Sequence, residues 1–116
     1  MTLLKLRKKL EEFLKEVQLN KDRLLPTSKL IIIRERINFL KLRLELDENV
    51  FLDIYFNAEN GRKDFALISE GKRIFGYDNL KEWHQHPFGH PGNRVGCKEP
   101  TMDKIFEEVA GILRGI

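Results

Sequence analysis

Leu40-Lys41-Leu42-Arg43-Leu44-Glu45-Leu46, followed across Asp47-Glu48-Asn49 by Val50-Phe51-Leu52-Asp53-Ile54-Tyr55-Phe56, decides the fold. Apolar residues recur at every second position in both halves, which is the side-chain period of a strand and not of a helix. Each half would bury one face of a sheet, and so short a polar break between them implies antiparallel neighbours. Downstream, Asn60-Gly61 is the strongest hairpin signal, because both residues tolerate the positive φ of a tight turn. Phe65–Ile68 and Ile74–Tyr77 then flank a turn at Glu70-Gly71, and upstream Leu30–Ile33 is short, apolar and isoleucine-rich. The pattern predicts an antiparallel meander of four or five strands.

Helices close the chain at both ends. Leu3, Leu6, Leu10, Phe13, Leu14 and Val17 recur at steps of three and four, predicting an amphipathic helix over about residues 2–20, with a break before residue 27 at Pro26. At the other end Thr101 offers an N-cap after Pro100, with Asp103 in the first turn. Ile105, Phe106, Val109, Ile112 and Leu113 form its apolar face, and Gly115 its stop. Between the last strand and this helix, Asp78–Pro100 reads as an irregular loop rich in His, Pro and Gly, a length of connection that is usually functional or mobile. With no repeat or linker to divide it, residues 1–116 are expected to form a single α+β domain.

Composition narrows the function classes. Charged residues make up 34% and hydrophobic ones 41%, which excludes a wholly disordered chain. The longest apolar run is four residues, as at Leu30–Ile33, so no membrane-spanning helix or leader is expected. One cysteine, Cys97, excludes an intramolecular disulfide framework and fits a cytoplasmic protein. Net charge is +3, a mild signal for a nucleic-acid partner, and the excess sits in residues 1–29 at +4. Only two glutamines beside abundant Lys, Glu and Arg is similar to a heat-adapted composition. Gly-rich phosphate loops, nucleophile elbows and His-Glu-x-x-His are missing from the sequence, so no nucleotide cofactor is expected.

Chemistry concentrates in the irregular segment, where His84, His86 and His90 fall within seven residues. In an extended stretch His84 and His86 project to the same side. Two imidazoles so placed can act as base and acid near neutral pH, can ligate a metal, or can hold a loop by bonding its carbonyls. His84, His86, His90 and Cys97 together make a zinc-compatible set as the metal alternative. Asp78 either ends its strand through an Asx turn or orients an imidazole. Arg73, Lys81, Arg94 and Lys98 surround the histidines, and Tyr77, Trp83 and Phe88 interleave with them, a mixture that suits phosphates and stacked bases of single-stranded RNA. For the aromatics the plainer reading is favoured, with Trp83 and Phe88 plugging the core beneath the loop.

Arg73-Ile74-Phe75-Gly76-Tyr77-Asp78-Asn79, followed by His84, His86, Pro87 and His90, resembles the TumE-like family of small toxins from prokaryotic toxin–antitoxin pairs. The family pattern is a strand ending in an aromatic-Asp-Asn triplet, then a histidine-rich run and a closing helix; the likeness covers roughly residues 40–114. Phe88-Gly89 departs from it by separating Pro87 from His90. The resemblance implies a toxin silenced by a cognate antitoxin, and a nuclease as its activity. The cheapest chemistry is metal-independent attack of the ribose 2′-hydroxyl on the adjacent phosphate. His84 and His86 would transfer the protons with His90 in reserve, Asp78 would orient an imidazole, and Arg73, Lys81 or Arg94 would hold phosphate, with no cofactor. Tyr77, Asn79 and Trp83 complete the expected substrate-binding set. Two other readings compete: a non-catalytic partner module with a structural histidine loop, and a small zinc protein. Homodimerisation through an edge strand is a further expectation.

Overall fold

The computed structural model describes residues 1–115. Its elements run α1 (Leu3–Leu24), β1 (Lys29–Glu35), β2 (Phe39–Asp47), β3 (Val50–Asn57), β4 (Lys63–Ser69), β5 (Lys72–Asp78), β6 (His84–His86), β7 (Val95–Gly96) and α2 (Met102–Gly115). The alternation over residues 40–56 becomes β2 and β3, which bury Leu40, Leu42 and Leu44 against Leu52, Ile54 and Phe56. All seven strands lie in chain order in one antiparallel sheet. The α+β class, the meander and both helices follow the sequence pattern; the strand count exceeds the expected four or five. The two extra strands, β6 and β7, are three and two residues long and lie inside the stretch expected to be irregular. Segments that short carry no measurable period, so alternation could not reveal them.

The turns are specific about backbone. Glu70 and Gly71 both take positive φ, 52° and 78°, the conformation of a two-residue hairpin turn. At Asn60-Gly61 only Gly61 does, at 77°. There the connection is a longer loop organised by Asn57, whose Oδ1 accepts from the amides of Glu59 and Asn60.

Helix α1 starts at the cap formed by Thr2 Oγ1 on the Lys5 amide and runs to Leu24, past the expected end near residue 20. It stops because Pro26 excludes the helical region for Leu25, which sits at φ −132°, ψ 55°. Leu6, Leu10, Phe13 and Val17 are buried, whereas Leu3 of the expected stripe is exposed. Phe13 stacks on Phe56 with ring centroids 4.4 Å apart. The Thr101 cap is present, its Oγ1 accepting from the Lys104 amide, and α2 buries Ile105, Phe106 and Val109. Gly115 is the last described residue of α2.

Both helices lie on one side of the sheet. Leu42, Ile54, Phe65 and Tyr77 are successive cross-strand partners and therefore share a face; with α1 and α2 they make one continuous core. The neighbouring positions Lys41, Tyr55, Asp64 and Asp78 are likewise successive partners, and His84 follows them on β6. They occupy the opposite face, which carries no helix among the described residues. This parity brings Lys41, Tyr55, Asp64, Asp78 and His84 to one side of the sheet.

A candidate aspartate–histidine centre

Strand β5 ends at Asp78, and the chain turns back at once. The Leu80 amide donates to Asp78 Oδ1 at 3.0 Å, an Asx turn, and Lys81 takes a φ of 72°. Strand β6 returns antiparallel, placing His84 opposite Asp78 and His86 opposite Gly76. As expected from their spacing, both imidazoles emerge on one face, while Gln85 points the other way and reaches Glu108 of α2. Gly76 keeps the strands close: a Cβ there would lie 2.5 Å from the Phe65 carbonyl oxygen.

The three side chains converge. Asp78 Oδ2 is 3.0 Å from His86 Nε2 and 3.2 Å from His84 Nε2. The other ring nitrogens face main-chain oxygens: His84 Nδ1 lies 3.0 Å from the Glu82 carbonyl and His86 Nδ1 3.1 Å from the Pro91 carbonyl. A carbonyl only accepts, so both Nδ1 atoms carry hydrogen. Asp78, His84 and His86 are 4%, 5% and 7% exposed, so the centre is closed off by its own loops. His84 Nε2 is the single buried side-chain nitrogen or oxygen among the described residues with no hydrogen-bond partner.

Electrostatics follow from this packing. Burial opposes ionisation of Asp78, but the Leu80 amide, the His86 bond and the two nearby imidazoles outweigh it and hold the carboxyl below its ordinary range. Asp64, directly across on β4, behaves oppositely. Burial raises it, Arg73 at 3.5 Å pulls it back, and the Asp78 charge raises it again. Two carboxylates side by side thus have different environments, one held by imidazoles and one held by a guanidinium.

The other expected site residues fall in several places. Arg73 is on the same face, paired with Asp64. Tyr77 is on the helix face, 3% exposed, its hydroxyl donating to Glu108 at 2.6 Å. Asn79 ties two segments together, its Oδ1 accepting from the Lys63 amide and its Nδ2 donating to the Gly61 carbonyl. Trp83 packs partly buried against the core. Lys81, Arg94 and His90 are exposed. Cys97 is exposed too, and with His90 it stands outside the donor group, in which Asp78 joins His84 and His86. Sequence reading passed over Lys41, Tyr55, Arg62 and Asp64, which with Arg73 line a depression on this face. Their signal was available: the period-two parity of β2 and β3, carried across each hairpin, sets Lys41, Tyr55, Asp64 and Asp78 in one row.

Comparison with family models, curated proteins and solved structures gave no match for this chain. The likeness to the TumE-like toxins rests on the quoted residues. No helix among the described residues is long and apolar enough to cross a membrane.

Proposed function

We propose that this chain is the toxin of a prokaryotic toxin–antitoxin pair, an endoribonuclease acting in the cytoplasm on single-stranded RNA. One observation carries the reading: Asp78 of the Tyr77-Asp78-Asn79 triplet meets His84 and His86 of the histidine run at a single point, on the sheet face that also bears Lys41, Arg62 and Arg73. Lys41 and Arg62 line the adjacent depression, and the Arg62 guanidinium lies 5.9 Å from the Tyr55 ring centroid. Phe39 packs against Tyr55 at 5.5 Å. A single strand crossing this face would set phosphates over Lys41, Arg62 and Arg73 and a base against the Tyr55–Phe39 pair. Its scissile phosphate would reach the Asp78–His84–His86 centre at the edge of the sheet once the loop carrying Pro91 lifts. The antitoxin would cover the same face and mask its cations.

The test compares wild type with His84→Ala/His86→Ala on a single-stranded RNA, after thermal melts establish that both are folded. Cleavage by wild type alone is expected. No cleavage by wild type, with or without added divalent metal, would overturn the nuclease. The burial of all three groups favours a second reading, a non-catalytic RNA or partner module held in shape by its histidines. RNA retained on a filter by both proteins and cut by neither would establish that reading instead.

A further inference from the structure

We infer that Asp78, His84 and His86 form a binding site for one divalent transition-metal ion, with zinc as the favoured occupant. Each of the three residues offers a donor atom within 4.8 Å of the other two, and the short contacts run from Asp78 Oδ2 to the two Nε2 atoms. Ligands held about 2.0–2.1 Å from zinc stand about 2.9 Å apart at a right angle and about 3.4 Å apart at the tetrahedral angle. The observed carboxylate–imidazole separations of 3.0 and 3.2 Å fall between those limits.

The protonation pattern points the same way. Each Nδ1–H is fixed on a carbonyl, that of Glu82 or Pro91, so Nε2 is the nitrogen each ring turns to the centre, where a metal would displace the proton that His86 Nε2 shares with Asp78 in the metal-free protein. Metal-ligating imidazoles are held in this manner, the second nitrogen donating to a carbonyl and setting the tautomer. The Leu80 amide occupies Asp78 Oδ1 and so presents Oδ2 inward. His84 Nε2 is buried, unpartnered and aimed at a carboxylate oxygen, an arrangement that a cation between them completes. Two imidazoles and one carboxylate suit zinc or ferrous iron and disfavour magnesium and calcium, which prefer all-oxygen shells.

The set differs from the sequence-based alternative, retaining His84 and His86 but taking Asp78 in place of His90 and Cys97. Three protein ligands leave at least one coordination position for water or a substrate oxygen. In RNA cleavage the ion would supply charge stabilisation at the phosphate, departing from the metal-free route expected from sequence. The binding itself does not depend on RNA being the substrate.

The experiment uses the full chain stripped with chelator, dialysed, and titrated with Zn²⁺ alone, followed by calorimetry and thermal melting. One equivalent bound and a raised melting temperature are expected. Co²⁺ in its place should give visible d–d bands. His90→Ala and Cys97→Ser should keep full stoichiometry, while His84→Ala, His86→Ala and Asp78→Ala should lose it. Because a ligand variant could fail to fold, wild-type histidine ring NMR supplies a second reading: Zn²⁺ should shift two of the three imidazoles and leave His90 in place. Absence of stoichiometric binding at micromolar Zn²⁺, or a site lost with His90→Ala or Cys97→Ser, would overturn the inference. These readouts contain no RNA, so failure of the nuclease proposal and failure of the metal site are separable.

Discussion

Replacing Asp78 by asparagine keeps the side chain's shape and an acceptor for the Leu80 amide, but removes the charge on which two buried imidazoles converge. In metal-free protein, losing a charge-assisted hydrogen bond of this kind costs about 1.5–3 kcal/mol. The ring of His84, also buried against that oxygen, loses its compensation as well, so the total should reach about 2–4 kcal/mol. For a chain of this size each kcal/mol lowers the melting temperature by about 4 °C, so a fall of about 8–16 °C is expected. Circular dichroism at 222 nm during thermal and urea unfolding, in excess EDTA, measures it. Asp78→Ala, which also deletes the Asx turn, should fall further by about 1 kcal/mol. A shift of under about 2 °C for Asp78→Asn would refute the argument, because a carboxylate that anchored both rings could not be neutralised so cheaply.

Gly76→Ala should destabilise strongly and disturb the His86 resonances, since its methyl would meet the Phe65 carbonyl oxygen at 2.5 Å and push β4 from β5. Unchanged histidine NMR signals would contradict this. Although Cys97 is exposed, partial desolvation of its thiol and the nearby Glu108 raise it against the pull of Lys104, so less of it is thiolate at any given pH. Its alkylation by iodoacetamide should therefore be slower than that of a free cysteine peptide at pH 8, with a rate profile displaced to alkaline pH; a profile displaced to acid would be the wrong sign. Phe106→Ala, at a fully buried α2 position, should cost about 3–5 kcal/mol in urea unfolding. The exposed Leu4→Ala should stay within about 0.5 kcal/mol, and equal losses for the two would mean that α2 is not docked on the core.

What could be read from sequence was set by the length over which a pattern repeats. β2 and β3 carry seven or more alternating residues each, and α1 carries several turns of an apolar stripe, so their existence and buried faces were legible. β6 and β7 were not, because three and two residues cannot display a period. Their positions are fixed by backbone pairing with β5 and with each other, not by a pattern of their own. The candidate site was half legible for the same reason. His84 and His86 share a face by local alternation, and Asp78 stands out as the polar end of an apolar strand. That Asp78 and His84 are direct cross-strand partners depends on register, which the intervening turn sets through Leu80 and Lys81. Tyr77 and Trp83, plausible as stacking platforms in a linear reading, belong to the opposite face and the core.

Strand order that matches chain order has a kinetic consequence. Every strand pairs with its neighbour in sequence, so the sheet can assemble through short loop closures, and the centre lies at one margin of it. That margin is also the thinnest part of the sheet, three residues of β6 backed by two of β7. Peeling these five residues away would separate His84 and His86 from Asp78 while the core between α1, α2 and the first five strands stayed intact. The centre can therefore be dismantled and rebuilt by fraying of one edge, at a free energy well below that of global unfolding. A partner that grips β7 would take the centre apart by loosening a margin, without entering the centre at all.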